Sequence, residues 1–474
     1  MNLEAVYLQM PTLAQNFVCN IMGWRIQRSR FGPSFLEQLR QVKKRAQWST
    51  DRVLEFRDQR LRSFLVHCAE TVPYYRRLFA EAGFQPERVR TLSDLAGLPV
   101  LTKAIVQGQD TELLSESIRP RERVPMHTSG TTGGGLRFAV TTAAVHEQWA
   151  VWSRYRQWHG LGQNTWQGYF AGRSVVPLAQ KRPPYWRYNF PGRQILFSGY
   201  HMGPATLETY VSLLRQRQPP WLHGYPSLLA LLAGYLDERR ESLGYDLRWI
   251  TTGAENLLPR QIDVIERTLG VRPIQHYGMA EAVANFSQCP RGKLHVDEDF
   301  AAVEFLPLPQ GGYRVVGTNF SNLATPLVRY EVGDVVDWDA GDTCDCGLPG
   351  RIVRRVDGRQ EDYVILRNGA RLGRMDHVFK DMTAIREAQI VQEEPGQITV
   401  RVVKNPRYGS SDESQLLEEF QKRVGDQATI RVEYTERIPR TESGKLRFVI
   451  SKVGKGQLVS AAPDAAAGRG NGST

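Results

Sequence analysis

Five cysteines in 474 residues, two of them in Cys344-Asp345-Cys346, are too few and too scattered for a disulfide framework. A reducing, cytoplasmic setting is the expectation that follows. No apolar run reaches membrane-spanning length. The apolar patch Phe17-Val18-Cys19-Asn20-Ile21-Met22 is short and has neither a basic start nor a small-residue cleavage site, so no signal peptide is expected. There is no internal repeat. The one glycine-rich run is not followed by the Gly-Lys-Ser/Thr of a P-loop. Secreted disulfide scaffolds, membrane spans, solenoids and P-loop enzymes are all set aside on these absences.

What is present is globular in kind: 41% hydrophobic and 23% charged residues, in a chain long enough for two or more domains. Net charge is +11, with basic clusters at Lys43-Lys44-Arg45, Arg60/Arg62 and Arg76-Arg77. Nucleic-acid binding, a solvated basic helical face and attraction of anionic small molecules all fit this charge, which alone does not choose among them.

Along the chain, residues up to about 50 read as basic helix with no visible chemistry. From Asp51, the residues Leu54, Leu61, Leu65 and Cys68 recur at helical spacing, so Cys68 reads as core. From Gln194 to Glu255, short apolar strands alternate with helical faces, punctuated by Pro219-Pro220, Gly224 and Gly253. That order implies a largely parallel sheet with ligands at the carboxyl ends of its strands. Beyond about Phe300 the pattern is β-rich, and from Gln360 a small α+β unit begins. The stretch from Gly456 is of low complexity and reads as a disordered tail.

The run Thr128-Ser129-Gly130-Thr131-Thr132-Gly133-Gly134-Gly135 combines hydroxyls with flexible backbone, a composition that suits a polyphosphate but also an ordinary surface loop. Four later stretches carry polar residues that a nucleotide enzyme needs. Gly253-Ala254-Glu255 ends a strand. Tyr277-Gly278-Met279-Ala280-Glu281 offers a ring for stacking and a carboxylate for a metal. Asp334, in Arg329-Tyr330-Glu331-Val332-Gly333-Asp334, offers an acid for ribose hydroxyls. Lys445 follows the turn Thr441-Glu442-Ser443-Gly444. Singly, each is as well explained by a solvated surface residue.

Together and in this order they resemble the adenylate-forming superfamily of acyl-CoA synthetases and peptide-synthetase adenylation domains. More narrowly the chain is similar to the phenylacetate–CoA ligase family, in the branch associated with capsular and exopolysaccharide gene clusters. Val72-Pro73-Tyr74-Tyr75, Leu98-Pro99 and the turn Gly224-Tyr225-Pro226-Ser227 add to the likeness, which spans about residues 50 to 455. The fold implied is α/β. A large domain over 51–357, mostly parallel sheets plus a β-rich subdomain, follows a helical extension over 1–50. A small mobile α+β domain over 358–455 precedes a tail over 456–474.

The resemblance also implies roles. Thr128, Ser129, Gly130, Thr131, Thr132 and Gly133 hold the ATP phosphates. Tyr277 and Gly278 meet adenine, with Gly253, Ala254 and Glu255 on its other side. Glu281 binds Mg²⁺, Asp334 the ribose, and Arg359 lies beside the nucleotide. Asp362 is a hinge that swings Lys445 in for adenylation and out for transfer of the acyl group, most often to coenzyme A. Two departures bear on rate: the phosphate loop lacks its proline and lysine, leaving Arg137 as the nearest cation, and Ala280 replaces a threonine. The reading implied is an ATP-dependent acid–CoA ligase. Its acid is open, an aromatic one included. An amine or hydroxyl acceptor and a non-catalytic nucleotide-binding homologue in polysaccharide assembly are the alternatives. Nucleic acid is then the least favoured partner, and the oligomeric state stays open.

One further constellation is independent of that nucleotide set. Cys289, His295, Cys344 and Cys346 supply three thiolates and an imidazole, a complete tetrahedral set for structural Zn²⁺. The other reading is a buried Cys289, a core His295 and a chance Cys-x-Cys pair.

Overall fold

The structure, a computed structural model, describes residues 3–128, 136–171, 175–203, 205–309, 311–359, 364–367, 371–372, 375–379, 382, 384–440 and 446–453. The chain opens with α1 (Leu3–Gln9), α2 (Thr12–Arg30) and α3 (Pro33–Arg45). Helix α4 (Thr50–Thr71) starts on Ser49, whose hydroxyl accepts the Arg52 N–H, and stops before Pro73. Its inner side is Val53, Arg57, Leu61, Phe64, Leu65 and Cys68, so Cys68 is a core residue. Helix α5 (Pro73–Glu81) runs into Gly83, which supplies the left-handed residue after the helix, and α6 (Lys103–Gly108) follows.

A hairpin of β1 (Arg123–His127) and β2 (Arg137–Thr141) then leads into α7 (Thr142–Trp158). The strand–helix alternation follows as β3 (Gln167–Ala171), β4 (Trp186–Asn189), β5 (Gln194–Ser198), α8 (Leu207–Arg217), β6 (Trp221–Gly224), α9 (Pro226–Arg239), β7 (Trp249–Thr252), α10 (Pro259–Leu269) and β8 (Ile274–Gly278). Six strands complete this part: β9 (Asn285–Gln288), β10 (Leu294–Val296), β11 (Ala301–Pro307), β12 (Tyr313–Asn319), β13 (Tyr330–Trp338) and β14 (Ile352–Arg359).

These strands form one twelve-stranded sheet in the order β11-β12-β13-β14-β10-β9-β8-β7-β6-β3-β5-β4. Strands β5, β3, β6, β7 and β8 are parallel, and from β8 onward every pairing is antiparallel. Strand β8 is thus the seam between an α/β half and a β-rich half. The carboxyl ends of β6, β7 and β8 open beside it. The edge strand β4 is covered by α2, whose Asn16 and Asn20 side chains bond the backbone at Tyr188 and Phe190.

The seam is also where the helices are fastened, and charge does the fastening. After β10 the turn Asp297-Glu298-Asp299 is fully buried. Arg154 of α7 reaches Asp297 at 2.7 Å and Asp299 at 2.9 Å, and Arg45 of α3 reaches Asp299 at 2.6 Å. Arg57 of α4 and Arg351 hold Glu298 at 3.1 and 2.6 Å. Burial pushes Asp297 up to about 6 against the pull of Arg154. Burial would raise Asp299 too, but Arg154 and Arg45 together draw it below the usual carboxylate range.

The last part pairs β15 (Val364–Ile365) with β16 (Arg371–Leu372). It then builds β17 (Ile385–Gln392), β18 (Gln397–Lys404), α11 (Ser410–Val424), β19 (Thr429–Tyr434) and β20 (Val449–Ser451) into a sheet ordered β19-β18-β17-β20. Its core joins Phe379, Ile390, Val400, Leu416 and Phe420. Arg386 of β17 forms a two-pronged bond with Glu238 of α9, tying this domain to the large one. Among the described residues no helix is long and apolar enough to cross a membrane.

Candidate functional site

A cavity of about 1400 Å³ opens where β6, β7 and β8 end. The hairpin brings Thr128 to its wall. There the Thr128 N–H donates to the Leu136 carbonyl at 2.9 Å, and its hydroxyl accepts the Leu136 N–H at 3.0 Å. Both ends of the glycine run are therefore pinned at one residue pair. Ser129, Gly130, Thr131, Thr132 and Gly133 themselves lie outside the described residues.

Strand β7 delivers Gly253, Ala254 and Glu255 to the same cavity. Ala254 takes φ +67°, a left-handed conformation that a non-glycine residue adopts at a cost of about 1 kcal/mol or more. The sharp turn leaves Glu255 bridging two elements. One carboxylate oxygen accepts the Ser227 N–H at the start of α9 at 3.1 Å, and the other accepts the Leu446 N–H at 2.7 Å. Burial raises the pKa of Glu255, with those two bonds opposing it. Lys445 and Asp362, the residue expected to be the hinge, lie outside the described residues. Leu446, the neighbour of Lys445, is in the cavity wall.

Strand β8 supplies Tyr277 and Gly278. The Tyr277 hydroxyl donates to Asp334 at 2.7 Å, and its ring stacks on Phe286 with centroids 4.6 Å apart. Asp334 is buried on β13, across the ladder from Arg359 on β14. Glu281 also lines the cavity, and its carbonyl accepts the Asn319 amide at 2.7 Å. Thr128, Gly253 to Glu255, Tyr277, Gly278, Glu281 and Asp334, scattered over two hundred residues of sequence, thus surround one space.

The family model described as the CapK C-terminal domain matches residues 366–452. Protein CapK of Staphylococcus aureus is 23% identical over 95% of this chain and 100% of that one. Phenylacetate-coenzyme A ligase of Thermus thermophilus is 26% identical over 67% of this chain and 72% of its own. Among solved structures, 2-hydroxyisobutyryl-CoA ligase in its postadenylation state, bound to an acyl-AMP, aligns with a TM-score of 0.67 at 19% identity, covering 86% of this chain and 91% of that one. Across most of its length this chain is similar to these ligases and has their fold. The same ligase in its thioesterification state aligns at only 0.52. The arrangement of this chain's two parts therefore matches the postadenylation state better.

A second cluster lies on the far side of the β8 seam. The ligand atoms of Cys289, His295, Cys344 and Cys346 all fall within 4.8 Å of one another. The sulfurs of Cys289 and Cys344 are 3.8 Å apart, and Cys346 Sγ is 3.3 Å from His295 Nε2. His295 Nδ1 lies 3.0 Å from the Pro349 carbonyl, which fixes the tautomer with its proton there and turns the Nε2 lone pair toward the sulfurs. Burial keeps the imidazole neutral by lowering its pKa. Three sulfurs and one oriented imidazole fit a tetrahedral metal.

The superfamily motifs left much of the cavity wall unread. The N-terminal helices, which showed no visible chemistry, contribute Gln27, Arg30 and Phe31. Helix α7 contributes Trp149, Trp152 and Arg156, and β8 contributes His276. His276 stacks on Tyr155 at 4.8 Å, and burial, then Arg156, lowers its pKa to about 3, so it is neutral. No spacing marks these residues. Only the aromatic density of α7, with Trp149, Trp152, Tyr155 and Trp158, hints that this helix does more than pack.

Proposed function

We propose that this protein activates a carboxylic acid with ATP through an acyl-adenylate and then transfers the acyl group to coenzyme A. The observation that carries this reading is the gathering of Thr128, Glu255, Tyr277, Glu281, Asp334 and Leu446, next to Lys445, around one cavity at the strand ends. In the first step a carboxylate oxygen bonds to the α-phosphorus, the bond to the bridging oxygen breaks, and pyrophosphate leaves. In the second, the coenzyme A sulfur bonds to the acyl carbon, the mixed anhydride opens, AMP leaves and the thiol proton passes to solvent.

The chain's own residues divide this work. Tyr277 offers a ring face to adenine, and its bond to Asp334 aims that carboxylate at the ribose. The hairpin loop pinned at Thr128 holds the phosphates, and Lys445 meets the charge that develops at the α-phosphate. Glu281 would hold a magnesium ion, which would supply neutralisation of phosphate charge. The Cys289, His295, Cys344, Cys346 set would hold a structural zinc. The ion would tie the β9–β10 segment to the loop after β13, and so steady β9, which Glu281 precedes, against β13, which carries Asp334. The likeness to Protein CapK supports a setting in polysaccharide assembly.

The test is pyrophosphate release with ATP and a panel of carboxylic acids, followed by AMP release with and without coenzyme A. Acid-dependent pyrophosphate and coenzyme A-dependent AMP are expected. Release of AMP to an amine or hydroxyl acceptor instead would reassign the second step. No pyrophosphate with any acid would defeat the reading.

A further inference from the structure

Among the described residues, the buried arginines of the large domain have acceptors to meet them. Arg45, Arg57, Arg60, Arg154 and Arg329 each bond a carboxylate. Arg187, which has no acid, spends its guanidinium on the Gln15 side chain and the carbonyls of Pro184 and Trp186. Arg156 has neither. Among the described residues it makes no ion pair, and its buried Nε has no hydrogen-bond partner. Its neighbours are rings: the guanidinium carbon lies 5.1 Å from the Trp221 centroid, 5.8 Å from Tyr155 and 5.9 Å from Trp149.

Such a group lines the cavity. Aromatic faces soften the desolvation of a cation but leave its N–H donors unused. A partly buried guanidinium is costly until an anion meets it, and bidentate pairing with a carboxylate is what its geometry favours.

The position of Arg156 says where that anion sits. Trp221 is the first residue of β6 and stands in register with Gln167 of β3, which pairs with Gln194 of β5. Arg193, directly before Gln194, also lines the cavity and also has no carboxylate among the described residues. This end of the cavity therefore carries two arginines and two amides. Of the acids that line the cavity, Glu255 is engaged with Ser227 and Leu446, Asp334 with Tyr277, Glu331 with Arg314 and Asp357 with Arg355, and neither these nor Glu281 forms an ion pair with Arg156.

We infer that the acid this protein activates carries a second anionic group, remote from the reacting carboxyl, and that Arg156 receives it. This rests on the adenylation reading and names the substrate class within it.

The experiment measures kcat/KM for pyrophosphate release with matched acids: phenylacetate against 4-carboxyphenylacetate, and heptanoate against pimelate, with 4-phosphonophenylacetate to separate a phosphate-type anion from a carboxylate. The wild-type protein is expected to prefer the doubly anionic member of a pair by about tenfold or more, expressed in KM. Arg156→Met is expected to abolish or invert the preference, and Arg156→Lys to restore part of it, with melting temperatures checking that each is folded. Turnover in which wild-type protein treats the paired acids alike, or prefers the singly charged ones, overturns the inference while leaving acid activation intact. A preference unchanged in Arg156→Met overturns it as well. Pyrophosphate from none of the acids defeats the adenylation reading, and this inference with it.

Discussion

Arg154 and Arg156 stand two residues apart on α7 and do opposite things. Two residues on a helix are about 200° apart, so the two side chains leave it on nearly opposite sides. Arg154 points into the seam, where Asp297 and Asp299 neutralise it. Arg156 points into the cavity, where rings surround it and no carboxylate of the described residues answers it. The first is an electrostatic problem the chain solves within itself. The second is one the chain leaves for a ligand. A buried charge with its partner in place speaks of architecture, and the same charge without one speaks of substrate.

That contrast is easiest to break through stability. Arg154→Met removes one cation from two fully buried acids, and breaking such a pair costs about 3–5 kcal/mol. Arg156→Met removes a cation with no acid to orphan, so its stability is expected to change by less than about 1 kcal/mol. Urea melts at pH 7 measure both. The pH dependence sharpens the comparison. In wild-type protein Asp299 is depressed, so its contribution is present above the unfolded pKa of about 3.9 and is lost as pH falls through the folded value. In Arg154→Met the Asp297 carboxyl loses its cation and is raised further, while Asp299 keeps Arg45 but is depressed less. The proton-bound form of Asp297 fits the fold, so the deficit shrinks as pH falls from 7 to 5. Equal destabilisation by the two substitutions would erase the distinction.

The sulfur cluster tests the same idea where the answer is a metal rather than a substrate. His295 is oriented by Pro349 toward Cys346, and Cys289 meets Cys344, although Cys289 and Cys344 are 55 residues apart. Protein purified under reducing conditions is expected to hold about one zinc per chain. Chelation or Cys346→Ser is expected to lower the melting temperature by several degrees, since a structural ion binds the folded form alone. Metal-free protein of unchanged stability in that variant would return the four residues to ordinary packing.

Much of the fold was legible because its local signals agree. Strands β5, β6 and β7 are short apolar runs, α8 and α9 have clear inner faces, and Pro219-Pro220, Gly224 and Gly253 punctuate them. That all twelve strands form one sheet was not legible, because it depends on β8 pairing forward with β7 and back with β9, which no local pattern records. The site divides in the same way. Residues such as Tyr277 and Asp334 sit in compact motifs. Arg156, Trp149 and Phe31 sit in helices, where a cavity-facing residue and a core residue share one spacing. The helical wheel separates Arg154 from Arg156, but only the tertiary structure says which side is the cavity.

The smallest expected effect concerns the join between the two domains at that cavity. Glu255 uses both oxygens, one on Ser227 of the large domain and one on Leu446 beside Lys445. Glu255→Gln keeps the shape but leaves a single acceptor, so one of the two bonds is lost, worth about 1 kcal/mol. On the proposed reading, the first half-reaction needs this arrangement and the second needs it released. A several-fold slower single-turnover adenylation is therefore expected, with thioester formation from the isolated acyl-adenylate no slower than in wild type. Because burial raises the pKa of Glu255, the wild-type carboxylate takes up its proton at a higher pH than an exposed glutamate. Above that pKa it accepts both bonds, and below it one oxygen becomes a donor, so the two proteins' adenylation rates should converge as pH falls. Parallel pH profiles, or equal slowing of both half-reactions, would mean that Glu255 only supports the local turn and has no part in choosing which step the cavity is set for.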